Sequence, residues 1–525
     1  MARSRAHARK SPSTGMRSFL VFALTAAILC GLVWGGWAYL HRDGLDDGGF
    51  IGDLGDANGS KLTLAITGEA PQSLDIRTDS STALDQALLG NVYETLLKRT
   101  TDNGVAPGIA SSWSISDDGL TYTFQLNGAM HFANGDTLDA TDVVDSLRRS
   151  VQNNYAGTDK LDGLSSVSGT GADTVVITLS KPNPDLPWLL SGRPGIVYDT
   201  RANVDYATHS LGSGPFSVKS FEAGKSLTLQ RNANYWNTSA AARSHTITLN
   251  YFADANLAAT AMAKGETDLI VEAAPGTLDM LRSHSDITLQ QVDSTRKVLL
   301  GFNGRSDSMF SEARMRQGVR YAINHQAIVD DQGAAGLLGG PISSLDPGYE
   351  DLTGLFPYDF QRAYRTTAYF IPVFTKETKR LVVPTEYAHI ADMIANDLNK
   401  LDLGVRVEVI DDATWRTRVV EQHDFDMTIF AMNGSHDVDD LADPSLFLGY
   451  TDGEGEEFAK RARAATNDAE YADRLKTLAR RLSDNAAADF LYVERPWIAY
   501  RNTVTGVPTF NRPDVSLPLE TLGKA

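Results

Sequence analysis

Across 525 residues there is a single cysteine, Cys30. That excludes an intramolecular disulfide and any zinc or iron–sulfur site built from several thiolates. Basic charge is also scarce: 48 Lys and Arg stand against 66 Asp and Glu, a formal net charge of −18. Six of the basic residues (Arg3, Arg5, Arg9, Lys10, Arg17 and Arg42) lie in the first 42 positions, which hold no acid. The remainder is therefore more acidic than the total suggests. Phosphate backbones would repel it, so no nucleic-acid partner is expected.

Catalytic motifs are missing too. Gly224-Lys225-Ser226 looks like the end of a phosphate loop, but Lys219 stands where the first glycine belongs. There is no G-x-S-x-G, no H-E-x-x-H and no paired-glycine fingerprint after a strand. In the acidic stretch His436–Asp443, Leu441 and Ala442 occupy positions where a calcium loop needs an oxygen ligand and glycine. The ten histidines are scattered. No enzyme, metal or cofactor is expected.

What is present begins with one long apolar run. Residues 19–40 carry no charge and, as a helix, reach roughly 33 Å, enough to cross a hydrocarbon core. Arg9, Lys10 and Arg17 precede the run, and Asp43, Asp46 and Asp47 follow it. By the positive-inside rule residues 1–18 are cytoplasmic and the body is extracytoplasmic. A cleaved signal would need a shorter apolar core and a small-x-small exit. A lipoprotein signal at Cys30 would need a small residue where Leu29 stands. An uncleaved single-pass anchor in the cell membrane fits the run best. Residues 41–60, rich in glycine and aspartate, read as a flexible linker with a reach of roughly 23 Å.

Beyond the linker, strand and helix patterns alternate. Leu120, Tyr122, Phe124 and Leu126 share one face of a period-two stretch, and Val175, Ile177 and Leu179 share another. His245–Tyr251 and the segment 403–409 repeat the pattern. Asp139 is placed to cap a helix with Asp142 three residues on. The stretch 257–264 ends at Gly265 as a helix should. Mixed alternation over some four hundred residues implies α/β lobes.

The segment 88–150 carries a more specific pattern in Tyr93, Glu94, Pro107, Trp113, Asp118, Gly119, Tyr122, Phe124, Phe132, Gly135, Asp142 and Val143. Further on come LGSGPF (211–216), NANYW (232–236), KGETD (264–268), the arginine-rich stretch 313–329 and DFDMTIFAMN (424–433). In that order they resemble the family 5 extracellular solute-binding proteins, the peptide-receptor components of ABC importers. The resemblance implies a type II periplasmic-binding-protein-like α/β fold of two lobes with an inserted subdomain, behind one N-terminal transmembrane helix. Lobe I would combine 61–105, 206–300 and 496–525, the insertion would be 106–205, and lobe II 301–495. Trp113, Tyr122, Phe124 and Trp236 are expected to pack cores rather than touch ligand.

The resemblance also implies a monomer that encloses short peptides between its lobes and passes them to permease subunits. In peptide-binding members an aspartate of lobe II meets the ligand's ammonium. Here Met432 stands where those members have tryptophan, next to Asn433, and the following loop offers Asp437, Asp439 and Asp440, with Asp437 favoured. Glu69 borders the cleft by resemblance, Tyr155 occupies a ligand-facing position, and Arg416 and Arg418 are candidates for a ligand carboxylate. The Met432 departure leaves open a metal chelate, haem or oligosaccharide as solute, and the uncleaved anchor leaves open an anchored peptide-sensing or chaperone protein as a different class.

Overall fold

The computed structural model describes residues 60–100, 103–161, 163–370, 378–432, 434–510 and 517–525. The apolar run 19–40 and its linker lie outside the described residues. Among the described residues no helix is long and apolar enough to cross a membrane.

Period-two patterning produces the first, seven-stranded sheet. In spatial order its strands are Phe216–Glu222, Ser226–Arg231, Thr246–Phe252, Lys61–Thr67, Leu269–Ala273, Trp497–Arg501 and Ile287–Gln291. Lys61–Thr67 runs parallel to both neighbours, with Leu62 beside Ile247 and Leu64 beside Leu269. Leu62, Leu64 and Ile66 bury one face in a core with Leu227, Leu229 and Leu249, while Ala65 packs the other face against Ala258 and Met262. Those two belong to the helix Ala255–Lys264, which stops at Gly265 with φ 83°, in the left-handed region that glycine adopts without strain.

A four-stranded sheet stands apart, in the order Ala110–Ile115, Thr121–Leu126, Thr174–Leu179 and Leu164–Thr170. Tyr122, Phe124, Val175 and Ile177 are buried as their alternation requires. The helix Ala140–Gln152 lies on this sheet. Asp139 caps it from its side chain while Asp142 reaches back to the Asp139 N–H, the reciprocal pair expected from the spacing.

The third sheet has six strands: Ala335–Gly336, Ala488–Glu494, Lys297–Phe302, Met427–Met432, Lys379–Pro384 and Val405–Ile410. Helices Ala313–Ala322 and Ala388–Asn399 add Met315, Val319, Ile390 and Ile394 to its core. The segment after residue 351 forms a helix, Phe360–Thr367, packed on Ala313–Ala322. Gly318 permits the approach, since a Cβ there would lie 2.3 Å from Thr367 Cγ2. The main chain passes between the first and third sheets twice: through 292–296 after Ile287–Gln291, and through 495–496 before Trp497–Arg501.

Glu94 gathers three of the motifs named above. Its buried carboxylate accepts from Ser213 Oγ at 2.8 Å, Tyr235 OH at 2.7 Å and Trp236 Nε1 at 2.7 Å. Trp236 is thus a hydrogen-bonding residue as well as a packing one. Burial pushes the Glu94 carboxyl above its ordinary range, and the three donors pull against that. Replacing Glu94 with alanine leaves three donors without an acceptor, so urea unfolding of Glu94→Ala is expected to show a loss of about 3 kcal/mol or more, with a smaller loss for Glu94→Gln.

Candidate ligand cleft between the two large sheets

Parallel strands leave their C-terminal ends open to a crevice, where ligands of open α/β sheets commonly bind. Here the ends of Lys61–Thr67 and Leu269–Ala273 lie side by side, and a cavity of about 340 Å³ opens beyond them. Thr67, Glu69, Ser81, Thr82, Gln86 and Glu272 supply its polar groups. At the first crossing, Arg296 is paired with Glu494, lies 3.9 Å from Glu386 and donates to Tyr387 OH at 3.3 Å. Burial pushes the Glu494 carboxyl upward. Arg296 opposes that, and the charge of Glu272 from the first sheet adds to it. Carboxylates from both sheets thus share one electrostatic neighbourhood.

One residue beyond Arg296, the strand Lys297–Phe302 enters the third sheet with every position buried. Five of its six residues are Val298, Leu299, Leu300, Gly301 and Phe302; the sixth is a lysine with 0% exposure. A buried ammonium requires a counter-ion. Lys297 Nζ finds it in Asp437 Oδ1 at 2.7 Å and donates a second bond to the Gly434 carbonyl at 3.0 Å. The antiparallel register explains the meeting: Lys297 lies opposite Met432, so the loop after Met432 begins beside it.

That loop also touches the segments that join the first sheet to the insertion. Ser435 Oγ and Asp346 Oδ1 both accept from the Asn103 amide, at 3.0 and 2.8 Å. His436 Nδ1 lies 2.6 Å from Asp185 Oδ1, and Tyr471 OH donates to Asp185 Oδ2 at 2.7 Å. The His436 ring stacks on Trp188 at 4.3 Å, and the Arg99 guanidinium covers Trp188 at 3.8 Å.

The residues singled out by sequence therefore separate. Asp437 is buried on Lys297, with Met432 half-buried nearby; Asn433 lies outside the described residues. Asp439 pairs with Arg463 at 2.6 Å. Asp440 lines another cavity of about 340 Å³ with Asp443 and Phe447, and burial raises its carboxyl. Glu69 is on the cavity at the strand ends. Tyr155 stands edge-on to Tyr198 with Arg77 over its ring. Arg416 is exposed. Arg418 donates to Asp424 and Glu408, which occupy the guanidinium that was to meet a ligand carboxylate. Among the described residues, no cluster of three or more His, Cys, Asp or Glu side chains could hold a metal ion.

Sequence reasoning missed Lys297, Arg296, Asn103, Asp185, Trp188 and Glu272. Lys297 carried a usable signal, a lone charge opening the apolar run VLLGF. Asp185 and Asn103 carried none, because their partners lie 251 and 243 residues away.

Residues 104–455 match the sequence family described as "Bacterial extracellular solute-binding proteins, family 5 Middle". The chain belongs to family 5 of the bacterial extracellular solute-binding proteins. It is a family 5 receptor of the ABC-importer type. The probable D,D-dipeptide-binding periplasmic protein DdpA of Escherichia coli is 24% identical over 411 residues, 74% of this chain and 77% of that one. Heme-binding protein A of Haemophilus influenzae is 24% identical over 416 residues, 72% and 73% of the two chains. The structure of HbpA2 from Haemophilus parasuis superposes with a TM-score of 0.77 at 19% identity, covering 89% of this chain and all of that one.

Two carboxyls give this family 5 protein a pH signature. Burial pushes Asp437 up to about 6 against the pull of Lys297, and pushes Asp142 up to about 6 against the Asp139 N–H and Arg201. Between about pH 4 and 6 the folded chain holds protons that the unfolded chain has released. The linkage therefore lowers stability as pH rises through that window. Lowering the pH from 7 to 5 is expected to stabilise the body by about 1 kcal/mol per group, measured by urea unfolding, with Asp142→Asn and Asp437→Asn together flattening the profile. At neutral pH Asp437→Ala strands the Lys297 ammonium, and the same assay should register a loss of about 3–5 kcal/mol.

Proposed function

We propose that this receptor captures short peptides in the crevice between its two large sheets and hands them to an ABC permease, held at the outer membrane face by the apolar segment 19–40. The observation that carries the reading is the cavity of about 340 Å³ at the ends of two parallel strands, bordered by Glu69, Gln86 and the hydroxyl residues Thr67, Ser81 and Thr82. Its volume lies within the range of small-molecule sites, about 300–1,000 Å³. Carboxylate, amide and hydroxyl groups suit the main chain of an extended ligand, whose N–H and C=O groups need partners whatever the side chains are. The D,D-dipeptide-binding name of the Escherichia coli relative supports this solute class.

A second reading, a non-peptide solute, is favoured by one observation: Asp437, favoured by resemblance to meet a ligand's ammonium, already holds Lys297. The heme-binding name of the Haemophilus influenzae relative points the same way.

Native mass spectrometry of the full chain, released from detergent micelles after growth on peptide-rich medium, separates the two. A series of di- to pentapeptide adducts that disappears in Glu69→Ala is the expected result. A single discrete adduct of non-peptide mass, or the bare chain, would replace the peptide reading with the second.

A further inference from the structure

A lysine at the first position after an interlobe crossing would ordinarily turn its ammonium to water. Lys297 does the reverse, with a side chain that is 0% exposed. Its stem is confined by an apolar strand, and its head meets Asp437 Oδ1 and the Gly434 carbonyl. The Asp437 side chain is 9% exposed, and a Cβ on Gly434 would lie 3.7 Å from Oδ2, so loop backbone flanks the oxygen that Lys297 does not touch. The next two loop residues are held from the opposite side, Ser435 by Asn103 and His436 by Asp185 and Trp188. Two further carboxylates act on this corner. Asp346 accepts from Asn103 and Ser343, and the exposed Asp440 adds its charge to that of Asp346 in raising the Asp437 carboxyl. The cavity at the strand ends is lined by Glu69 and not by Asp437.

The geometry points to Lys297 as a specificity-determining residue: it is the resident cation of the Asp437 corner, and the solute this receptor takes contributes no ammonium there. The inference rests on the solute-capture reading but not on the solute being a peptide. A carboxylate placed between lobes and withheld from water is an ammonium site by its chemistry. In this chain the ammonium is covalently supplied, so the corner is neutralised before any ligand arrives. A free amino terminus gains nothing by reaching it, and blocking that terminus removes nothing.

The test uses the full chain in detergent micelles with n-butylammonium chloride, which reproduces the lysine side chain, as probe. In Lys297→Ala, about 100 mM of the probe should raise the thermal midpoint by about 3–5 °C over the same concentration of sodium chloride. It should leave the wild type and Lys297→Ala/Asp437→Ala unmoved. If Lys297→Ala fails to fold, recovery of the folded signal on adding the probe is the same measurement. Equal response of wild type and variant, or no response in either, overturns the assignment. Calorimetry on the wild type then compares tri-alanine with N-acetyl-tri-alanine. Affinities within about threefold are expected, and a loss of about tenfold or more on acetylation overturns the proposal. Failure of both peptides to bind, with the butylammonium response intact, removes the peptide reading and leaves the resident cation standing.

Discussion

Among the described residues, only two short stretches of main chain, 292–296 and 495–496, connect the first large sheet to the six-stranded one. Everything else about the interface between them follows from that constraint. Each sheet completes its own hydrophobic core, with Leu62, Leu64 and Leu249 on one side and Val298, Leu300 and Ile429 on the other. What remains for the surface between them is polar and charged. Contacts of that kind exchange readily with water, each contributing about 1 kcal/mol net. A joint made of them can open and close without either core being disturbed.

The buried charges of this region are arranged so that protein groups satisfy one another. Lys297 and Asp437 neutralise each other at the edge of the third sheet's core, Arg296 lies among Glu494, Glu386 and Tyr387, and Asp185 takes both His436 and Tyr471. Replacing a matched pair by apolar residues would often stabilise a protein, so the retention of these charges is not explained by stability alone. Their value lies in position. They fix the loop after Met432 to Lys297 on one side and to Asn103, Asp185 and Trp188 on the other.

Local patterning made much of the frame legible. The alternation at Tyr122, Phe124, Val175 and Ile177, the reciprocal cap of Asp139 and Asp142, and the stop at Gly265 each depend on residues a few positions apart, and each is present. The family motifs identified the family, and several sit at structural junctions, with Glu94, Ser213, Tyr235 and Trp236 meeting in one hydrogen-bonded cluster. The site was less legible. Asp437 reads in sequence as an available anion, and what occupies it is 140 residues away. Arg418 reads as an available cation, yet Asp424 and Glu408 already hold it. Sequence spacing reports which groups a segment carries; only the sheet register decides which of them already have partners.

The cluster around Glu94 has a bearing on how such a molecule can change over generations. Glu94 stands where the chain leaves the first sheet, and Ser213 stands where it comes back, yet the two touch. The Val197 N–H returns to the Glu94 carbonyl and the Gly214 N–H to that of Val92. More than a hundred residues are thus looped out and back through one doorway. Lengthening, trimming or exchanging that excursion shifts neither of the strands to which it is attached. One doorway of this kind can therefore carry excursions of quite different size.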